Sequence, residues 1–198
     1  MKKILMVLGV AVLIAGLSTA AVAKKLIFIN VDKGEMPNDI TATCDVSVDE
    51  KNASTKNGLA LKVEVKPDGE KKDKISWWIG EFNPRKGIWA GYDYVRIDCF
   101  NPSKDTIPLE FSIKPVSGAG YSQSLINPLI ARPGKSTLEI SIAGATTMGG
   151  DAIDFTKKFK SWSLYQYNTG KAGTVLYFSN FRLETEGDEE ATDKKPAK

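Results

Sequence analysis

After residue 24 the chain alternates apolar and polar residues with period two, in short stretches broken by Gly, Pro, Asn and Asp, and helical periodicity is absent. The clearest stretch is Leu59 to Val65, where Leu59, Leu61, Val63 and Val65 alternate with Ala60, Lys62 and Glu64 before a Pro67-Asp68-Gly69 turn. The same reading predicts strands near 41–48, 75–82, 92–100, 109–114, 136–142, 160–167 and 174–184, with a further one over 26–31. About eight or nine short strands without crossover helices predict an all-β fold, an antiparallel jelly-roll-like sandwich of two sheets. Residues 151–158 are expected to add at most one helical turn.

Alternation also assigns faces. In 92–100, Val95, Ile97 and Cys99 point one way and Tyr94, Arg96, Asp98 and Phe100 the other. In 75–82, Ile75, Trp77 and Ile79 face the core, leaving Trp78 outward. In 160–167, Trp162 and Leu164 are core, with Ser163, Tyr165 and Tyr167 outward. Trp89, between Gly87 and Gly91, is expected to pack at a strand entrance.

The two ends differ from this pattern. Lys2 and Lys3, an apolar run from Ile4 to Leu17 and the small residues ending at Ala23 have the form of an export signal. The run is 14 residues, short of the roughly 18–20 needed to span a bilayer, and no cysteine follows it to carry a lipid. Residues 186–198 lack any large apolar side chain and read as a disordered charged tail. The expected organisation is a signal peptide over 1–23, one sandwich over 24–185 and the tail. An exported protein follows, periplasmic or extracellular, with no stable membrane insertion after cleavage.

The formal charge of +3 loses Lys2 and Lys3 with the signal and falls to +1, which removes the case for a nucleic-acid partner. The chain has no histidine, so Ser-His-Asp and Cys-His machinery and imidazole-ligated zinc are excluded. Glycoside hydrolysis needs only two carboxylates. Asp93, Asp98, Glu110 and Glu139 are available, but none sits in a recognisable motif, and no enzymatic activity is expected. Cys44 and Cys99 fit either one disulfide or two buried free thiols.

Three segments carry a family resemblance. Trp89-Ala-Gly-Tyr-Asp-Tyr-Val-Arg-Ile-Asp-Cys-Phe-Asn-Pro102 resembles a strand of the carbohydrate-binding-module-like, galactose-binding-like sandwiches appended to bacterial glycoside hydrolases. Leu129-Ile-Ala-Arg-Pro-Gly-Lys-Ser-Thr-Leu-Glu-Ile140 is similar to that family's Pro-Gly turn and following strand. Val175-Leu-Tyr-Phe-Ser-Asn-Phe-Arg-Leu183 looks like its final strand, with Ser179 where Asp is common.

The resemblance implies a non-catalytic, carbohydrate-binding sandwich, with a structural calcium ion as an accessory whose ligands remain unassigned; Asp32, Asp39 and Asp45 are not spaced as a calcium loop. A sugar site needs aromatic faces for C–H stacking and fixed polar groups for hydroxyls. The candidates are Trp78, Tyr94, Phe100, Tyr165 and Tyr167 for stacking, with Arg96 and Asp98 for hydrogen bonds. Each also fits a structural role: Arg96 with Asp98 as a surface pair, the tyrosines as a cross-strand ladder. The competing function is a periplasmic or cell-surface assembly protein that docks a protein partner through its edge strands.

Overall fold

The structure, a computed structural model, describes residues 24–31, 40–54 and 58–186. The expected signal, all but the first residue of the tail, Asp32 and Asp39 lie outside these residues. Eleven strands run β1 Lys25–Ile29, β2 Ile40–Ala42, β3 Asp45–Asp49, β4 Ala60–Glu64, β5 Ile75–Phe82, β6 Tyr94–Asn101, β7 Ile107–Lys114, β8 Leu125–Ala131, β9 Gly134–Ser141, β10 Ser161–Gly170 and β11 Val175–Glu184. One sheet has the order β3-β4-β11-β6-β9, with β1 also paired to β11; the other has the order β2-β5-β10-β7-β8. All pairings between these strands are antiparallel. The all-β sandwich is therefore as the alternation predicts.

Two strands escape that pattern. The stretch 41–48 is two strands in different sheets, because the chain crosses the sandwich at Thr43-Cys44. β8 contains Pro128 and adjacent apolar residues that hide its period, and it is tolerated because β8 is an edge strand, where a residue without an N–H costs no ladder bond. Residues 151–158 form turns and not a helical turn; among the described residues the one helical segment is the 3-10 turn Tyr121–Gln123.

The core is aromatic. Trp77, Trp89 and Trp162 are each 1% exposed. Phe181 of one sheet and Phe111 of the other both pack on Trp162, at 6.0 and 5.8 Å. The indole N–H groups keep partners inside: Trp162 donates to Glu81 (2.7 Å), Trp77 to the Gln166 side-chain oxygen (2.7 Å) and Trp89 to the Lys86 carbonyl (2.6 Å). Trp89 packs at a strand entrance as expected, edge-on to Phe159 at 4.5 Å.

Cys44 and Cys99 are free thiols, so the bridge alternative does not hold. Cys99 is a core residue of β6, while Cys44 precedes β3, three strand positions away, roughly 14 Å at about 4.8 Å per strand. A disulfide requires Cα atoms within about 7 Å. Burial pushes both thiols up to about 12. Thiol reagents at pH 8 are therefore expected to leave both unlabelled in the folded protein, and a reductant to leave Tm unchanged. Rapid labelling, or a Tm lowered by reductant, would contradict this.

Candidate functional site

The seven aromatic and polar candidates do not share a surface. Tyr94, Arg96, Asp98 and Phe100 lie on the outer face of the β6-containing sheet; Trp78, Tyr165 and Tyr167 lie on the outer face of the other.

On the first face the charges are consumed by one another. Arg96 bonds Glu139 through Nε (2.8 Å) and Glu184 through Nη1 (2.6 Å); Arg182 bonds Glu184 through Nε (2.6 Å) and Asp98 through Nη1 (2.8 Å). Asn180 and Thr137 add donors to Asp98 at 3.0 and 3.1 Å. Asn180 reaches it because the β6–β11 register slips between Ser179 and Arg182, with Asn180 left-handed at φ 49°. Arg96 also lies over the Tyr94 ring at 5.0 Å, and Phe100 packs on Tyr177 at 5.8 Å. This chain of alternating charge, Glu139-Arg96-Glu184-Arg182-Asp98, leaves a ligand few free donors or acceptors. The sequence reading placed these side chains outward, which they are, but the partners come from β9 and β11 and cannot be seen within one strand.

The lattice has a pH signature. Burial alone would raise the Asp98 carboxyl, but hydrogen bonds from Ser54, Arg182 and Asn180 outweigh it and hold it below its usual range. At Glu184 burial is likewise outweighed by Arg96 and Arg182. Both groups titrate lower in the folded state than in the unfolded chain, so their stabilisation is full above the ordinary carboxylate range and is lost as pH falls through it. Glu184→Gln is expected to cost about 2 kcal/mol at pH 7, by removing one of the two carboxylates that each of Arg96 and Arg182 bonds, and to flatten the loss of stability below about pH 4.5. A Tm equal to wild type at both pH 7 and pH 4 would contradict the lattice.

The opposite face is different in kind. A groove of 460 Å³ lies on it, with Trp78 and Phe82 from β5, Ser161, Ser163, Tyr165 and Tyr167 from β10, Ser112 and Lys114 from β7, and Tyr121 from the 3-10 turn. The register explains the shape. Trp78 stands across from Tyr165; Gly80, Ser163 and Ser112 form the next row; Phe82, Ser161 and Lys114 the row after. Trp78 and Phe82 are four residues apart, roughly 14 Å along an extended strand, yet their rings meet edge-to-face at 5.6 Å. They close over the one position between them that has no side chain. A Cβ on Gly80 would sit 2.1 Å from the Trp162 carbonyl oxygen, so β5 and β10 approach as only glycine allows.

Beside this aromatic wall the floor is hydroxylated, with the Ser112 and Ser163 Oγ atoms 2.8 Å apart. Trp78 is half-buried and fixed by its backbone: its N–H donates to Thr43 Oγ1 (3.1 Å) and its carbonyl accepts the Thr43 N–H (3.1 Å). Tyr165 is half-buried with its hydroxyl hydrogen-bonded to Glu110; burial first, then that carboxylate, raises its pKa. Tyr167 and Tyr121 are 68% and 67% exposed at the rim. The Tyr121 turn is braced from behind by Met148 and Gly149, whose N–H groups donate to the Ser124 and Ser122 carbonyls at 2.8 and 2.7 Å.

No carboxylate lines the groove. Among the described residues no three acid, cysteine or histidine side chains converge as metal ligands, and Asp45 pairs with Lys66 at 3.4 Å. Gly80, Phe82, Ser112 and Lys114 were not legible as site residues from sequence. The available signal was a glycine inside a strand with aromatic residues two positions to either side.

The architecture has counterparts among solved structures. A family 11 carbohydrate-binding module from Clostridium thermocellum, in complex with a β-1,3-1,4-mixed-linked tetrasaccharide, superposes with a TM-score of 0.53 at 16% identity, over 81% of this chain and 94% of that one. A family 30 module of a cellulosomal cellulase from the same organism gives 0.52 at 10%, over 83% and 99%. The fold is shared with these two carbohydrate-binding modules. It also occurs within a larger enzyme: an exo-β-agarase gives a TM-score of 0.61 at 9% identity over 79% of this chain, which spans only 24% of the agarase. No protein-family model matches the sequence, and no curated protein does. At these identities the likeness concerns the fold.

Proposed function

We propose that the groove over β5, β10 and β7 binds a carbohydrate chain without transforming it, and that the protein does so outside the cytoplasm, in keeping with the export-signal form of residues 1–23. The observation that carries the reading is the contrast between the two outer faces. One carries a lattice of arginines and carboxylates, with hollows beside Asp98 and Lys62 that hold no aromatic wall; the other combines an aromatic wall, a serine floor and exposed tyrosines in a single groove. Aromatic rings and hydroxyls side by side match the apolar C–H faces and equatorial hydroxyls of a sugar.

The fold supports this reading, since a module of the same architecture is held in complex with a tetrasaccharide. The lining supports binding without hydrolysis, since cleavage of a glycosidic bond ordinarily uses two carboxylates across the bond and no Asp or Glu lines this groove. Edge-strand docking of a protein has less support at the groove-bearing sheet, whose edge strands are the three-residue β2 and the Pro128-containing β8. Isothermal calorimetry against a panel of soluble plant, algal and bacterial polysaccharides tests the proposal. Binding to at least one polymer is expected; silence across the panel, with one stoichiometric protein partner recovered instead, would overturn it.

A further inference from the structure

The groove contains one charged side chain. Lys114 lies in the same row as Phe82 and Ser161, is exposed, and makes no ion pair among the described residues, while no carboxylate lines the groove to offset it. Glu110, the nearest acid on its own strand, sits two positions beyond Ser112, with its carboxylate engaged by the Tyr165 hydroxyl. Lys160 is joined to the groove, its backbone N–H donating to the Lys114 carbonyl (2.8 Å) and its ammonium to the Asn83 side chain (2.8 Å). An ammonium group donates to neutral sugar hydroxyls too, but a carboxylate or sulfate there forms a stronger, charge-assisted hydrogen bond, and no protein carboxylate in the lining competes for it.

We propose that the groove selects anionic polysaccharides, chains bearing uronate carboxylates or sulfate esters, with the anionic group at Lys114 and the ring faces on Trp78 and Phe82. This rests on the reading of the groove as a glycan site and narrows it to a chemical class.

The test uses the full chain and matched polymer pairs: polygalacturonate and alginate against their carboxyl-reduced forms, and a sulfated galactan against its desulfated form. At about 0.05 M salt the favoured anionic polymer is expected to bind at least tenfold more tightly than its neutral counterpart. That preference is expected to shrink at about 0.5 M salt, where exposed charges are screened. The pair that shows the preference identifies the anion as carboxylate or sulfate. Lys114→Gln is expected to reduce the preference to under threefold. Lys62→Gln, which removes the same charge from the other face, is expected to keep it. Equal affinity for charged and neutral forms would overturn the anionic proposal and leave the glycan reading standing. Binding of no polymer would overturn both. A preference lost equally in Lys62→Gln, or kept in Trp78→Ala, would show general charge attraction without the groove and would also overturn the proposal.

Discussion

Trp78→Ala is expected to weaken glycan binding at least thirtyfold while leaving the protein folded. The indole supplies the larger half of the aromatic wall, and the loss of a central aromatic anchor typically costs roughly 2 kcal/mol or more of binding energy. Stability is expected to move by only about 1 kcal/mol, because Trp78 is half-buried and points away from the core that Trp77 fills. Phe82, the edge-to-face partner, loses its support in the same variant. Calorimetry for affinity and thermal melting for stability separate the two effects. Unchanged affinity in a folded Trp78→Ala protein would remove the groove from consideration.

Gly80→Ala is expected to be the most damaging small substitution in the chain for its size. The added methyl falls 2.1 Å from the Trp162 carbonyl oxygen and 2.9 Å from the Ser163 Cα, both backbone atoms that cannot rotate away. Relief requires β5 and β10 to separate, at a cost of about 3 kcal/mol by the scale of overpacking, or a Tm lower by roughly 6–12 °C. The same separation tilts the Trp78–Phe82 wall, so the protein that remains folded is expected to bind glycan weakly. A melting point within about 2 °C of wild type would show that β5 and β10 do not approach this closely.

Much of this fold was legible in the sequence because burial on one face of a strand imposes period two. Leu59 to Val65, Val95-Ile97-Cys99 and Trp162-Leu164 all point inward as alternation requires. The failures have a common cause. The sheet change at Thr43-Cys44, the pairing of β8 and the distance between the two cysteines are relations between strands, and period two within a strand does not record them.

The candidate site divides in the same way. Trp78, Tyr165 and Tyr167 were correctly placed outward, as were Arg96 and Asp98, but only the sheet order shows that the two sets lie back to back. Arg96 and Asp98 looked like hydrogen-bonding groups awaiting a ligand until Glu139, Arg182 and Glu184 were brought beside them. Gly80 was the opposite case, a residue with no chemistry of its own that sets the shape of the groove.

On the proposed function the protein has a binding face and a structural face, and the four tryptophans report on that division. Trp77, Trp89 and Trp162 are buried in the core, Trp77 and Trp162 lying beneath the groove they help to line, whereas Trp78 is half-buried and stands on the outer face. A 15N–1H spectrum of the four indole groups, recorded during titration with a polysaccharide fragment that calorimetry shows to bind, tests it directly. The Trp78 indole resonance is expected to move progressively to saturation while the other three shift less. A saturable shift confined to backbone amides around Tyr94, Arg96 and Asp98, with the Trp78 indole unmoved, would contradict it.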